Sequence, residues 1–150
     1  MRLGSLARPE LIFPDLEADD AEQLLRALAE KVAAAGGVKS AEELCQKLRE
    51  REKLGSTAVG SGVAIPHCKM PGLRDGVVAL GVARAGVDFG AADGVPVRVF
   101  FLVVSPSEAP AEHLQTLAAL SRWIKTEQNP AKILASRGRQ EIYELLQRGD

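Results

Sequence analysis

Two spacings of apolar residues divide the chain. From about Asp20, Leu24, Leu25, Leu28, Ala29 and Val32 recur at helical intervals, acidic residues crowd the first turn, and Gly36-Gly37 supplies a stop. A second helix is predicted where Ser40-Ala41-Glu42-Glu43 forms a capping-box pattern. Leu44, Cys45 and Leu48 carry its buried face, and it ends about Glu52 or Lys53. Before these helices, Leu11–Phe13 reads as a strand following a short tail, closed by Pro14-Asp15. After them, Ser56–Ala64 reads as a glycine-containing loop leading into a short strand that ends at Ile65-Pro66-His67.

The spacing then changes to unbroken apolar runs. Val77–Ala85, between Gly76 and Gly86, predicts a strand, and Ala92-Asp93-Gly94 marks a turn into the next. Val95–Val104 is the most apolar run, and Val99-Phe100-Phe101-Leu102-Val103-Val104 shows no polar alternation. A run that short is compatible with buried helix, but its β-branched and aromatic content argues for a central strand covered on both faces. A loop from Ser105 to Pro110 leads to a helix over about Ala111–Lys125. Its inward stripe holds His113, Leu117, Leu120 and Ile124. Asn129-Pro130 opens a short helix to about Ala135, Gly138 interrupts, and Glu141–Leu146 is a last amphipathic piece. Two early helices, several strands and terminal helices lack the strict alternation of a doubly wound sheet, which makes the expected fold class α+β.

Composition narrows the function classes. The 150 residues, 46% apolar and 26% charged, suit one domain spanning 1–150 with a real core. A formal net charge of −1 without blocks of like charge gives no nucleic-acid footprint and no polybasic membrane surface. No stretch is long and apolar enough to span a bilayer, and the N-terminal residues lack the apolar core of a signal peptide, so a cytoplasmic location is expected. Cys45 and Cys68 are too few for a disulfide scaffold and read as free thiols.

Candidate chemistry centres on two histidines. Gly60 and Gly62 allow tight turns, Ile65 before proline is biased to extended backbone, and Pro66 has a fixed φ, so His67 sits on a stiff stem. A lone loop histidine is more often an ordinary surface residue. His113 in a first helical turn is equally compatible with capping, and the amides and dipole beside it make a natural anion site. Arg51, in the last turn of its helix, fits plain stabilisation of the helix dipole. Cys68 adjoins His67, but neighbours in extended backbone point oppositely, which argues against a thiol nucleophile. His67, His113 and Cys68 lack a fourth ligand at signature spacing, which argues against a metal site.

The segment Arg51-Glu-Lys-Leu-Gly-Ser-Thr57 followed by Gly62-Val-Ala-Ile-Pro-His67 resembles the active-site segment of phosphotransferase-system enzyme IIA proteins of the fructose/mannitol type, which include the nitrogen-regulatory IIA proteins. Pro96–Pro106 with Glu112-His-Leu-Gln-Thr-Leu117 is similar to the family's strand, loop and helix carrying a second active-site histidine, and the likeness runs from about Leu11 to Leu146. The resemblance implies a three-layer α/β/α sandwich with a mixed sheet, the mannitol-type EIIA fold. It implies that His67 accepts a phosphoryl group on Nε2 from the carrier protein HPr or its nitrogen-branch counterpart. Nδ1 would then hold its proton against a carbonyl. It further implies that Arg51 and His113 neutralise and hydrogen-bond the phosphoryl oxygens, that Ser56 and Thr57 are candidate phosphate contacts, and that no metal or organic cofactor takes part. The phosphate would pass to a separate IIB component of a IIB and membrane IIC pair for sugar uptake. Alternatively, phosphorylation would control binding to regulatory partners.

Overall fold

The computed structural model describes residues 3–126 and 128–148. In chain order it comprises α1 (Leu3–Leu6), a single 3-10 turn at Pro9–Leu11, β1 (Ile12–Phe13), α2 (Ala21–Ala34), α3 (Ala41–Glu52), β2 (Ala58–Gly60), β3 (Val63–Ala64) and β4 (His67–Met70). β5 (Val77–Val87), β6 (Val97–Pro106), α4 (Pro110–Lys125), α5 (Asn129–Ala135) and α6 (Arg139–Arg148) follow. The two early helices begin where their caps direct. Asp20 accepts from the Gln23 amide at 2.8 Å, and Ser40 from the Glu43 amide at 3.1 Å.

The longest apolar run becomes the middle of the sheet. Strands are ordered β1-β5-β6-β3-β2, with β4 also on β6. β5 runs antiparallel to β6, while β3 and β4 run parallel to it. Along β6, Phe100, Leu102 and Val104 face Leu24, Leu28, Val32, Leu44 and Leu48 of α2 and α3. Val99, Phe101 and Val103 face Leu120, Trp123, Ile133, Ile142 and Leu146 of α4, α5 and α6. Both faces of the sheet are therefore covered, and the chain forms the expected three-layer α/β/α sandwich. Phe100 and Phe101 are fully buried on opposite faces, each stabilising its layer by about 1.5–3 kcal/mol.

β3 and β4 are one strand interrupted at Ile65-Pro66. Ala64 faces Phe100 and, three residues on, His67 faces Val103, so the register on β6 continues across the break. Pro66 has no amide to give, yet its carbonyl still accepts from the Val103 amide at 3.0 Å. A short strand ending at His67 was expected; instead pairing resumes there through Met70, because buried Cys68 and Met70 alternate with outward His67 and Lys69.

Other differences are local. The expected N-terminal tail contains α1, whose Leu3 is buried and whose Gly4 carbonyl accepts from Gln147 Nε2 at 2.8 Å; four residues are too few to show a period. β6 starts at Val97 because Pro96 cannot donate to a ladder, and Val95 is exposed. α4 takes Pro110 as its first residue, where a missing amide costs nothing.

The sheet meets α2 at Gly81, where an added Cβ would lie 2.4 Å from Leu16 Cδ1 and 3.0 Å from Leu28 Cδ2. Gly81→Ala is expected to lower unfolding stability by about 1–3 kcal/mol through overpacking. An unchanged urea midpoint would show that α2 and its loop give way at no cost.

Candidate functional site

The interruption between β3 and β4 aims His67. Its Nδ1 lies 2.7 Å from the Ile65 carbonyl oxygen, which can only accept, so Nδ1 carries the ring proton and Nε2 the lone pair. The imidazole is half-buried and fixed to its own backbone two residues upstream. α4 brings His113 beside it, with ring centroids 5.5 Å apart and ring planes inclined by 51°. Arg51, in the last turn of α3, completes the group. One guanidinium nitrogen donates to the Gly55 carbonyl at 2.9 Å, closing the helix end, while further N–H donors of the planar fork remain. All three residues line one cleft of about 500 Å³ with Lys47, Lys69 and Leu117, rimmed by exposed Leu54 and Leu114.

Electrostatics differ sharply among neighbours in this cleft. His113 is pushed down to about 4, chiefly because burial disfavours its charged form, with electrostatic coupling to neighbouring His67 and Lys69 adding to the effect. Burial likewise pushes the Cys68 thiol up to about 12, so it stays protonated beside His67 and cannot serve as a nucleophile at neutral pH. Among the described residues, no three His, Cys, Asp or Glu side chains gather into a metal-binding group.

Of the five residues singled out from the sequence, the structure brings His67, His113 and Arg51 together and leaves Ser56 and Thr57 apart. The Ser56 hydroxyl donates to the Phe89 carbonyl at 2.6 Å, and that of buried Thr57 to Glu52. The other Glu52 oxygen accepts from the Thr57 amide at 3.2 Å, so Glu52 closes this turn. Their hydroxyls thus satisfy local geometry, the ordinary use of such residues in turns. Gly60 and Gly62 have φ of +93° and +79° in the β2–β3 turn, where the Ser61 amide goes to Asp93 at 2.9 Å and not to the cleft.

Two further residues matter here. Lys69 stands on the same face of β4 as His67, a relation readable from the two-residue period once His67 to Met70 is known to be a strand. Ser105, buried on β6, places its Oγ 2.7 Å from His113 Nδ1, and nothing in the local sequence announced it.

A mixed sheet between two helical layers is a fold shared with solved nitrogen-regulatory and mannitol IIA structures. The chain belongs to the family described as phosphoenolpyruvate-dependent sugar phosphotransferase system, EIIA 2, whose model matches residues 5–149. It is 39% identical over 146 residues to a nitrogen regulatory protein of Bradyrhizobium diazoefficiens, covering 97% of this chain and 95% of that one. It is 31% identical over 144 residues to the fructose-specific EIIA component of Haloferax volcanii, covering 96% and 94%. Among solved structures, the nitrogen regulatory protein IIA-Ntr of Neisseria meningitidis superposes with a TM-score of 0.87 at 29% identity, covering 95% of this chain and 97% of that one.

A folded-state value near 4 for His113, against 6.5 for the free side chain, means the folded chain binds fewer protons than the unfolded one between those values. The stability this group contributes is complete above about pH 6.5 and is lost as pH falls toward 4. Imidazole nitrogen NMR should give His113 a midpoint near 4, and His113→Gln should flatten the decline in urea midpoint below pH 6.5. A His113 midpoint near 6.5 would contradict the burial of its ring.

Proposed function

We propose that the protein is a phosphocarrier whose His67 Nε2 accepts a phosphoryl group from a phosphohistidine of HPr or its nitrogen-branch counterpart. The observation that carries this reading is the bond from His67 Nδ1–H to the Ile65 carbonyl, which leaves the lone pair on Nε2 facing the cleft. In the transfer, the His67 Nε2–P bond forms as the donor's N–P bond breaks, and the donor imidazole leaves with the electron pair of that bond. No proton has to move. The phosphorylated ring keeps its Nδ1–H and becomes more positive, and the Ile65 carbonyl stabilises that charge. Arg51 neutralises the phosphoryl oxygens and His113 hydrogen-bonds them, so that positioning and charge compensation supply the catalysis.

Two outputs are open to such a carrier. Regulation of protein partners by phosphorylation state is favoured by the 39% identity to a nitrogen regulatory protein over almost the full length of both chains. Passage of the phosphate to a IIB component for sugar uptake is favoured by the 31% identity to a fructose-specific EIIA component. Protein phosphorylated at His67 separates them. Discharge to a IIB cysteine, abolished when that cysteine is replaced, supports the sugar branch. Binding of a regulatory target that differs between the two phosphorylation states, without discharge to IIB, supports regulation.

His67→Ala should take up no phosphate from phosphorylated HPr while keeping its fold, read by intact mass and circular dichroism. Full incorporation in the variant would sink the assignment. Arg51→Lys keeps the charge and loses the fork, and transfer is expected to slow by roughly tenfold or more. An unchanged rate would reduce Arg51 to its bond with Gly55.

A further inference from the structure

Ser105 and His113 meet on the covered side of the cleft. Ser105 lies on β6 opposite Lys69 of β4, one strand in from the edge that carries His67. Ser105 is 4% exposed and His113 5% exposed, with 2.7 Å between Oγ and Nδ1. Among the described residues, this imidazole nitrogen is the one partner of the Ser105 hydroxyl. On its other side, His113 Nε2 has no hydrogen-bond partner among the described residues, yet it is not among the sealed, unsatisfied atoms, so it opens to the cleft.

We propose that Ser105 is a positioning residue of the phosphoryl site: its buried hydroxyl donates to His113 Nδ1 and fixes the neutral tautomer whose Nε2–H serves a phosphoryl group on His67. This rests on the phosphocarrier reading of His67. The direction of the bond follows from what each alternative leaves unpaired. If the ring donated to Oγ, the hydroxyl hydrogen would stay buried without an acceptor, whereas an underused oxygen lone pair is tolerated more easily.

The tautomer matters because the ring is neutral. A charged imidazolium would carry protons on both nitrogens and would need no partner to select one. Burial keeps His113 uncharged well below neutral pH, so only one nitrogen can donate, and a phosphoryl oxygen can only accept. The two histidines of the cleft are then complementary. His67 has its proton held on Nδ1 by a backbone carbonyl and attacks with Nε2, while His113 has its proton held on Nε2 by a serine and donates with it.

Long-range nitrogen–proton NMR on the unphosphorylated protein at pH 7 tests the tautomers directly. The expected result is His67 protonated on Nδ1 and His113 on Nε2, with Ser105→Ala shifting His113 toward the other form. In transfer from phosphorylated HPr, Ser105→Ala should be about tenfold slower, and Ser105→Thr, which restores the hydroxyl, should recover most of the rate. In a His113→Gln background the donor no longer depends on a ring tautomer, so Ser105→Ala should then change the rate by less than about twofold. Wild-type His113 protonated on Nδ1 overturns the inference even if Ser105→Ala proves too unstable to assay. So does an equal loss from Ser105→Ala in both backgrounds, which would mean that Ser105 acts only through packing. Wild-type protein that takes no phosphate on His67 overturns the phosphocarrier reading itself.

Discussion

The site depends on a strand that breaks and resumes without losing its place. Pro66 removes one amide from the ladder with β6, yet pairing continues in register from Ala64 to His67. A fixed proline φ and an extended Ile65 leave the Ile65 carbonyl where the imidazole of His67 can reach it at 2.7 Å. The most apolar run in the chain, β6, is the template against which this happens, so the orientation of one ring is tied to the most deeply buried strand. Loosening β6 would release the register, and with it the choice of which nitrogen faces the cleft.

Both helical layers converge on that edge. α3 belongs to the layer packed on Phe100, Leu102 and Val104, and α4 to the layer packed on Phe101 and Val103. Arg51 therefore arrives at the C-terminal end of a helix from one side of the sheet, and His113 in the first turn of a helix from the other. Neither core alone can build the cleft. This explains how so small a fold holds three polar groups together: each is anchored at an element end, where backbone has to leave the core anyway, and the fixed sandwich sets their separations.

Much of this was legible in the sequence. α2 and α3 were marked by caps and a helical period, β6 by its unbroken apolar run, and His67, Arg51 and His113 by a segment resembling a known family. What escaped notice was short or long-range. Four residues of α1 and four of β4 cannot display a period, and β4 carries two polar side chains among its four. Ser56 and Thr57 adjoin the motif in sequence, but their hydroxyls are taken by Phe89, 33 residues away, and by Glu52. Ser105 was hidden for the opposite reason. It sits where a loop was expected, and its meaning arises only when β6 is folded beneath α4.

The alternation of β4 has one more effect, concerning Cys68. One peptide bond from His67, this thiol turns into the core, and with a value pushed up to about 12 only on the order of one molecule in 10⁵ is thiolate at neutral pH. Oxidants and electrophiles act on thiolates that they can reach. Burial thus withholds the Cys68 thiol from such reagents, although it stands next to His67 in the chain.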